Sequence, residues 1–144
     1  MTKITQHFTI EELCASSTAK AKGIKNQPGT QELINLTALC VAVLEPLRTW
    51  FGREIKIGSG YRCPILNAAV GGVSNSQHMK GQAADLCIDG DMEKGRKWFN
   101  YIRNHLLFDQ LIMEHNAKGT YWVHVSYDAQ GRNRGQVIEN LLKK

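Results

Sequence analysis

Apolar residues recur at helical spacing between Thr30 and Phe51, where Leu33, Leu36, Cys40, Val43, Leu47 and Trp50 form one stripe. Steps of three and four residues are the period of an amphipathic helix, so the longest helix is predicted here. Pro46 lies inside the run. A proline has no amide proton to give a helix, so a kink or a change of helix is expected there. Gly52 ends the segment. Upstream, Thr9 and Glu12 have the spacing of a capping box, which predicts a short helix starting within Phe8–Leu13. Gly23 to Gly29 reads as a loop. Pro64 suits the first position of a short helix through Ala69. Asp91 caps a further helix from Met92 to about Leu107, with Trp98, Ile102 and Leu106 on one face.

The pattern elsewhere has period two. Ile55–Ser59 alternates, Ala83–Ile88 reads as a buried strand, and Gln110–His115 and Thr120–Tyr127 form a hairpin. Ala117–Gly119 suits a three-residue loop with Gly119 at a bulge. That register pairs Glu114 with Trp122 and Ile112 with His124. It puts Leu111, Met113, Val123 and Val125 on a core face. Glu114, Trp122, His124 and Ser126 share the other face with Ile112. A one-residue slip would exchange the faces. Gln136–Ile138 is a candidate edge strand. The order of elements predicts an α+β fold, with helices packed on a central antiparallel sheet. One domain is expected over residues 1–144, with its core at about 8–127 and a C-terminal segment from 128 to 144.

Composition narrows the function classes. No run approaches the 18 or more apolar residues of a membrane span. The N-terminus has no apolar signal-like segment, so cytoplasmic synthesis is expected, with another factor delivering the protein to any substrate outside the membrane. A monomer is expected. The net charge of +5 favours approach to an anionic polymer, but the basic residues are scattered and no nucleic-acid motif occurs. No nucleic-acid partner is therefore expected. Cys14, Cys40, Cys63 and Cys87 are widely spaced, and free thiols are expected. Cys40 and Cys87 lie in apolar runs and read as core residues.

The chemistry concentrates in Ser76-Gln77-His78-Met79-Lys80-Gly81-Gln82-Ala83-Ala84-Asp85. Asp85 lies between Ala84 and Leu86, in a strand where a carboxylate is costly to bury without a cation. A metal and an arginine partner both satisfy that need. His124 lies between Val123 and Val125 on another strand. Alone it reads as a structural histidine. With His78 and Asp85 it completes three ligands, the number a catalytic zinc takes beside one open position. The hairpin register places Glu114 diagonally next to His124, where a carboxylate can serve as general base. Arg62, in Ser59-Gly60-Tyr61-Arg62, has the position to stabilise an oxyanion, to clamp a substrate carboxylate, or to form a surface ion pair. Tyr61 and Trp122 are candidates for walls of a peptide cleft or for packing. Ser76 and Gln77 complete the candidate substrate-binding residues.

These blocks together resemble the zinc D-alanyl-D-alanine carboxypeptidase family of peptidoglycan metallopeptidases. The carriers are Ser-x-His-x-x-Gly-x-Ala-x-Asp, the upstream Ser-Gly-Tyr-Arg and the downstream Trp-Val-His-Val, within Phe8 to Ser126. The family includes vancomycin-resistance dipeptidases and many phage endolysins, and shares its fold with the Hedgehog signalling domain. The resemblance implies zinc ligands at His78, Asp85 and His124 and a carbonyl-polarising role for Arg62. It also implies hydrolysis of peptide bonds in peptidoglycan stem peptides, by a carboxypeptidase or an endopeptidase of phage-lysin type. Many members carry an acidic residue three positions before the last histidine, where this chain has Tyr121. The base must then come from Glu114 on the neighbouring strand. The alternative is a zinc-binding module of the same fold without catalysis.

Overall fold

The computed structural model describes residues 2–142. Helix α1, Ile10–Cys14, opens on the predicted capping box: Glu12 N donates to Thr9 Oγ1 at 3.1 Å and Thr9 N to Glu12 Oε1 at 3.4 Å. Helix α2, Ser17–Lys22, follows, capped by Ser16 Oγ. The long apolar run forms α3, Thr30–Leu39, a π turn over Cys40–Leu44, and α4, Glu45–Phe51. The break expected at Pro46 takes the form of this widened turn. Glu45 N donates to Cys40 O, so the extra residue makes room for the ring that would otherwise press on the preceding turn. It also rotates the stripe. Leu39 and Leu44 join Leu36, Cys40, Val43 and Leu47 in the core. Trp50, predicted on the same stripe, is instead 47% exposed and stacks on Tyr101. Taken whole, Thr30–Phe51 has the length and composition to cross a membrane, although no uninterrupted apolar run occurs within it. Its apolar face is accounted for by the core.

Short helix α5 spans Pro64–Ala69, and α6 spans Met92–His105 with Asp91 accepting from Lys94 N at 3.0 Å. The strands are β1 (Ile57–Ser59), β2 (Ala83–Cys87), β3 (Gln110–His115), β4 (Tyr121–Ser126) and β5 (Gln136–Glu139). They lie in the order β1-β2-β4-β3-β5. All pairings are antiparallel except β3 with β5, so the predicted antiparallel sheet is mixed at one edge. The cause is the path of the chain. It leaves β4 beside the start of β3, where Gly135 N bonds Phe108 O at 3.0 Å and Gln136 N bonds Asp109 O at 2.9 Å. From there β5 runs alongside β3 in the same direction.

The hairpin takes the predicted register, with Ile112 opposite His124 and Glu114 opposite Trp122. Leu111, Met113, Val123 and Val125 are fully buried under the helices, together with Trp98, Phe99 and Ile102 of α6. Strand β2 continues the alternation. Ala84 and Leu86 face the core opposite Val125 and Val123, which turns Asp85 toward the other face directly opposite His124. The four cysteines are free. Cys40 is buried, and burial pushes its thiol up to about 12. Cys87, expected in the core, is partly exposed.

Candidate active site

The face of the sheet opposite the helical core floors a cleft of about 900 Å³. Asp85, Ile112, Glu114, Trp122 and His124 line it from the strands. His78 arrives from a 3₁₀ turn, Gln77–Lys80, that the sequence pattern did not reveal. Ser76 starts this turn by accepting from His78 N at 3.2 Å, and Gly81 closes it. His78 is 3% exposed, and its Nδ1 contacts Gly60 O at 2.7 Å. A carbonyl can only accept, so Nδ1 donates to it, which leaves Nε2 as the ring atom turned to Asp85 and the one a metal would take. Gly60 can play this part because its backbone presses on α1. A Cβ there would lie 2.2 Å from Leu13 O.

Three side chains from distant parts of the chain meet at the floor. His78 Nε2 lies 3.4 Å from Asp85 Oδ1, and His124 Nδ1 lies 2.9 Å from the same oxygen. One ligand atom from each residue can be chosen so that all three lie within 4.8 Å of one another. The rings meet edge to face, with centroids 5.3 Å apart. Two imidazole nitrogens and one carboxylate oxygen at this separation suit a divalent cation such as zinc. Burial pushes the Asp85 carboxyl up, but the charge of His78 and the hydrogen bonds from His124 and His78 outweigh it. The net shift is well below the usual carboxylate range. The carboxylate is thus held ionised, the form a metal requires.

The other predicted residues divide. Arg62 lines the cleft, with its backbone N bonded to His78 O at 3.0 Å. Its Nε is buried without a hydrogen-bond partner among the described residues. Burial lowers the guanidinium's pKa and the charge of Asp85 raises it. Asn26 pins this loop, donating Nδ2 to Cys14 O and Tyr61 O, each at 2.9 Å, and accepting from Cys63 N at 2.8 Å. Glu114 lines the cleft as the register required, but its Oε1 accepts from Asn140 Nδ2 at 2.6 Å and from His115 N at 3.1 Å. Trp122, Ser76 and Gln77 also line it. Tyr61 does not. It is 5% exposed within the core cluster, so of its two sequence readings the packing one describes it.

The sequence reading missed two contributors. Glu32 and Asn35 of α3 form part of the wall, and Asn35 Nδ2 holds Lys80 O at 2.8 Å. The loop after β4 adds Asp128, Gln130, Arg132 and Arg134. Asn35 gave a usable signal, being a polar residue next to Leu36 on the stripe side of an amphipathic helix. The loop gave none, because nothing local ties it to His78.

Comparison with known families matches residues 6–126 to Peptidase M15. A comparison with curated proteins returned no match. The family match spans most of the chain, including the loop bearing Arg62, the turn bearing His78, and the strands bearing Asp85, Glu114 and His124. Members of this family are metal-dependent, in keeping with the nitrogen and oxygen donors gathered at the cleft floor. On that match the chain belongs to the peptidase M15 family of metallopeptidases.

Proposed function

We propose that the protein is a zinc-dependent hydrolase of peptide bonds in bacterial peptidoglycan stem peptides, acting as a carboxypeptidase or an endopeptidase. The convergence of His78, Asp85 and His124 at the floor of an open cleft carries this reading. These residues would hold the zinc, with His78 bound through Nε2. Bound there, zinc supplies Lewis acidity toward the scissile carbonyl and lowers the pKa of a water to roughly 7. Glu114 takes the proton of the attacking water and passes it to the leaving amine. Arg62 presents its guanidinium to the charge growing on the carbonyl oxygen, a donor role typically worth about 100- to 1,000-fold in rate. Trp122 walls the peptide channel, with Ser76 and Gln77 at its edge. The net charge of +5 favours approach to an anionic wall, consistent with a lysin-type role.

The test is digestion of purified peptidoglycan with and without a chelator, followed by mass analysis of the fragments. The expected result is chelator-sensitive release of peptide products whose masses identify the bond cut. Glu114→Gln is expected to keep zinc and lose about 100- to 10,000-fold in rate. Stoichiometric zinc with no cleavage by the native chain would instead establish a binding module without catalysis.

A further inference from the structure

The family match ends at Ser126. Beyond it, the chain crosses a loop stitched by Asp128 and Asn133, then runs as β5 along the free edge of β3. Strand β5 is exposed throughout, and its Val137 and Ile138 are each 37% exposed. It adds little to the core. Its polar tethers, by contrast, reach the cleft at two points.

The first begins at Arg134. Its Nε donates to Asp109 Oδ1 at 2.8 Å, its Nη2 to Oδ2 at 3.0 Å, and its backbone N to Oδ1 at 3.1 Å. Asp109 is 4% exposed, and its Oδ2 also accepts from Gln77 Nε2 at 2.8 Å. Gln77 is the first residue of the turn that carries His78. A buried carboxylate therefore links the C-terminal segment to that turn. The second tether is Asn140, whose N bonds Met113 O at 2.9 Å and whose Nδ2 bonds Glu114 Oε1 at 2.6 Å.

We propose that the segment from Asp128 to Leu142 is a positioning strap of the active site. Arg134 acts through Asp109 and Gln77 on the turn bearing His78, and Asn140 aims the Glu114 carboxylate. The inference rests on the metal-ligand role of His78 and the base role of Glu114 proposed above. Outer partners of this kind typically shift metal affinity or activity by about 10- to 100-fold.

The test uses the full chain and four variants: Asn140→Leu, Arg134→Gln, Gln77→Met, and Arg96→Gln as control. Arg96 pairs with Glu139 of β5 on the side of α6, away from the cleft. The readouts are kcat and KM on soluble peptidoglycan fragments, zinc affinity by chelator competition, and the visible absorption spectrum of the cobalt-loaded protein. Asn140→Leu is expected to lower kcat by about 10- to 100-fold with KM and zinc affinity unchanged. Arg134→Gln is expected to weaken zinc binding by about tenfold or more and to alter the cobalt spectrum. Gln77→Met reproduces that effect with the strap intact, so poor folding of Arg134→Gln leaves the test in place. Arg96→Gln changes none of these. The strap is overturned when Asn140→Leu, Arg134→Gln and Gln77→Met all match Arg96→Gln. Should the native chain cleave nothing, the hydrolase reading fails separately, and zinc affinity and the cobalt spectrum still judge the Arg134 tether.

Discussion

Asp85 and His124 stand on β2 and β4, interior strands paired on both sides, with fully buried Ala84, Leu86, Val123 and Val125 alternating beneath them. The strap from Asp128 to Leu142 shares the same cleft but lies at the sheet edge, paired with β3 alone, exposed along β5, and tied to the cleft by side-chain hydrogen bonds. The first wall takes its precision from packing, because a slipped register would expose four core residues. The second takes its precision from a few polar contacts, each individually modest. A metal site needs its ligands fixed before the cation arrives, and the packed wall provides that. Proton transfer needs one carboxylate aimed correctly, and a hydrogen bond from Asn140 can provide that. Changes in the packed wall should therefore act on the metal and on stability, and changes in the strap on rate and fine positioning.

Asp85→Asn probes the packed wall with the largest expected effect. It keeps the side-chain shape and removes the charge toward which both histidines converge. Zinc affinity is expected to fall by more than the roughly 10- to 100-fold that outer partners cost, and hydrolysis to disappear. Equilibrium dialysis with metal analysis checks this. Native zinc affinity in Asp85→Asn would remove the carboxylate from the site and leave the packed wall without its function.

Gly81→Ala asks whether the turn bearing His78 also depends on packing. Gly81 has φ +73°, and a Cβ there would meet Glu32 O at 2.4 Å and Leu36 Cγ at 3.2 Å. A left-handed alanine and a backbone collision with α3 together are expected to cost about 2–5 kcal/mol, read from chemical denaturation. An effect below about 0.5 kcal/mol would show that the turn moves freely against α3. The turn would then depend on its hydrogen bonds, those of the strap among them, rather than on packing.

This division also explains what was legible in the sequence. The hairpin faces and the register of Glu114 and His124 were readable because alternation is local and one face is buried, whereas His78 joined the ligand set through its motif and the family resemblance. Thr9 and Glu12 marked α1 for the same reason: a capping box is complete within four residues. Helix α2 buries only Ala19, so it carried no period to detect. The π turn depends on how the chain absorbs Pro46 within the packed helix, and the stripe alone foretold a break without its form. The parallel pairing of β5, the link from Asp109 to Gln77 and the bond from Asn140 to Glu114 join residues far apart in sequence through single polar atoms. No periodicity encodes such contacts. Tyr61 shows the converse: its place beside Arg62 left a cleft wall and a packing role equally open, and three-dimensional packing put it in the core.

The smallest expected effect, in Asp109→Asn, tests whether the strap is held by charge. Hydrogen bonds from Arg134, opposed by burial and helped by Gln77, lower the Asp109 pKa from 3.8 to about 2. A carboxyl depressed by folding adds stability that is fully present above its unfolded pKa and lost as pH falls through its folded value. The native chain should thus melt a few degrees above Asp109→Asn at neutral pH, the scale expected for one charged hydrogen-bonded contact in a domain of this size. That gap should narrow below about pH 4 and be mostly lost by about pH 2, where the native side chain is half protonated. Asp85 is depressed as well, but it is present in both proteins and drops out of the difference. Thermal melts followed by circular dichroism across that window measure the gap. A gap that stays constant down to pH 2 would mean that shape rather than charge holds Asp109, and the strap would then resemble the packed wall it was contrasted with.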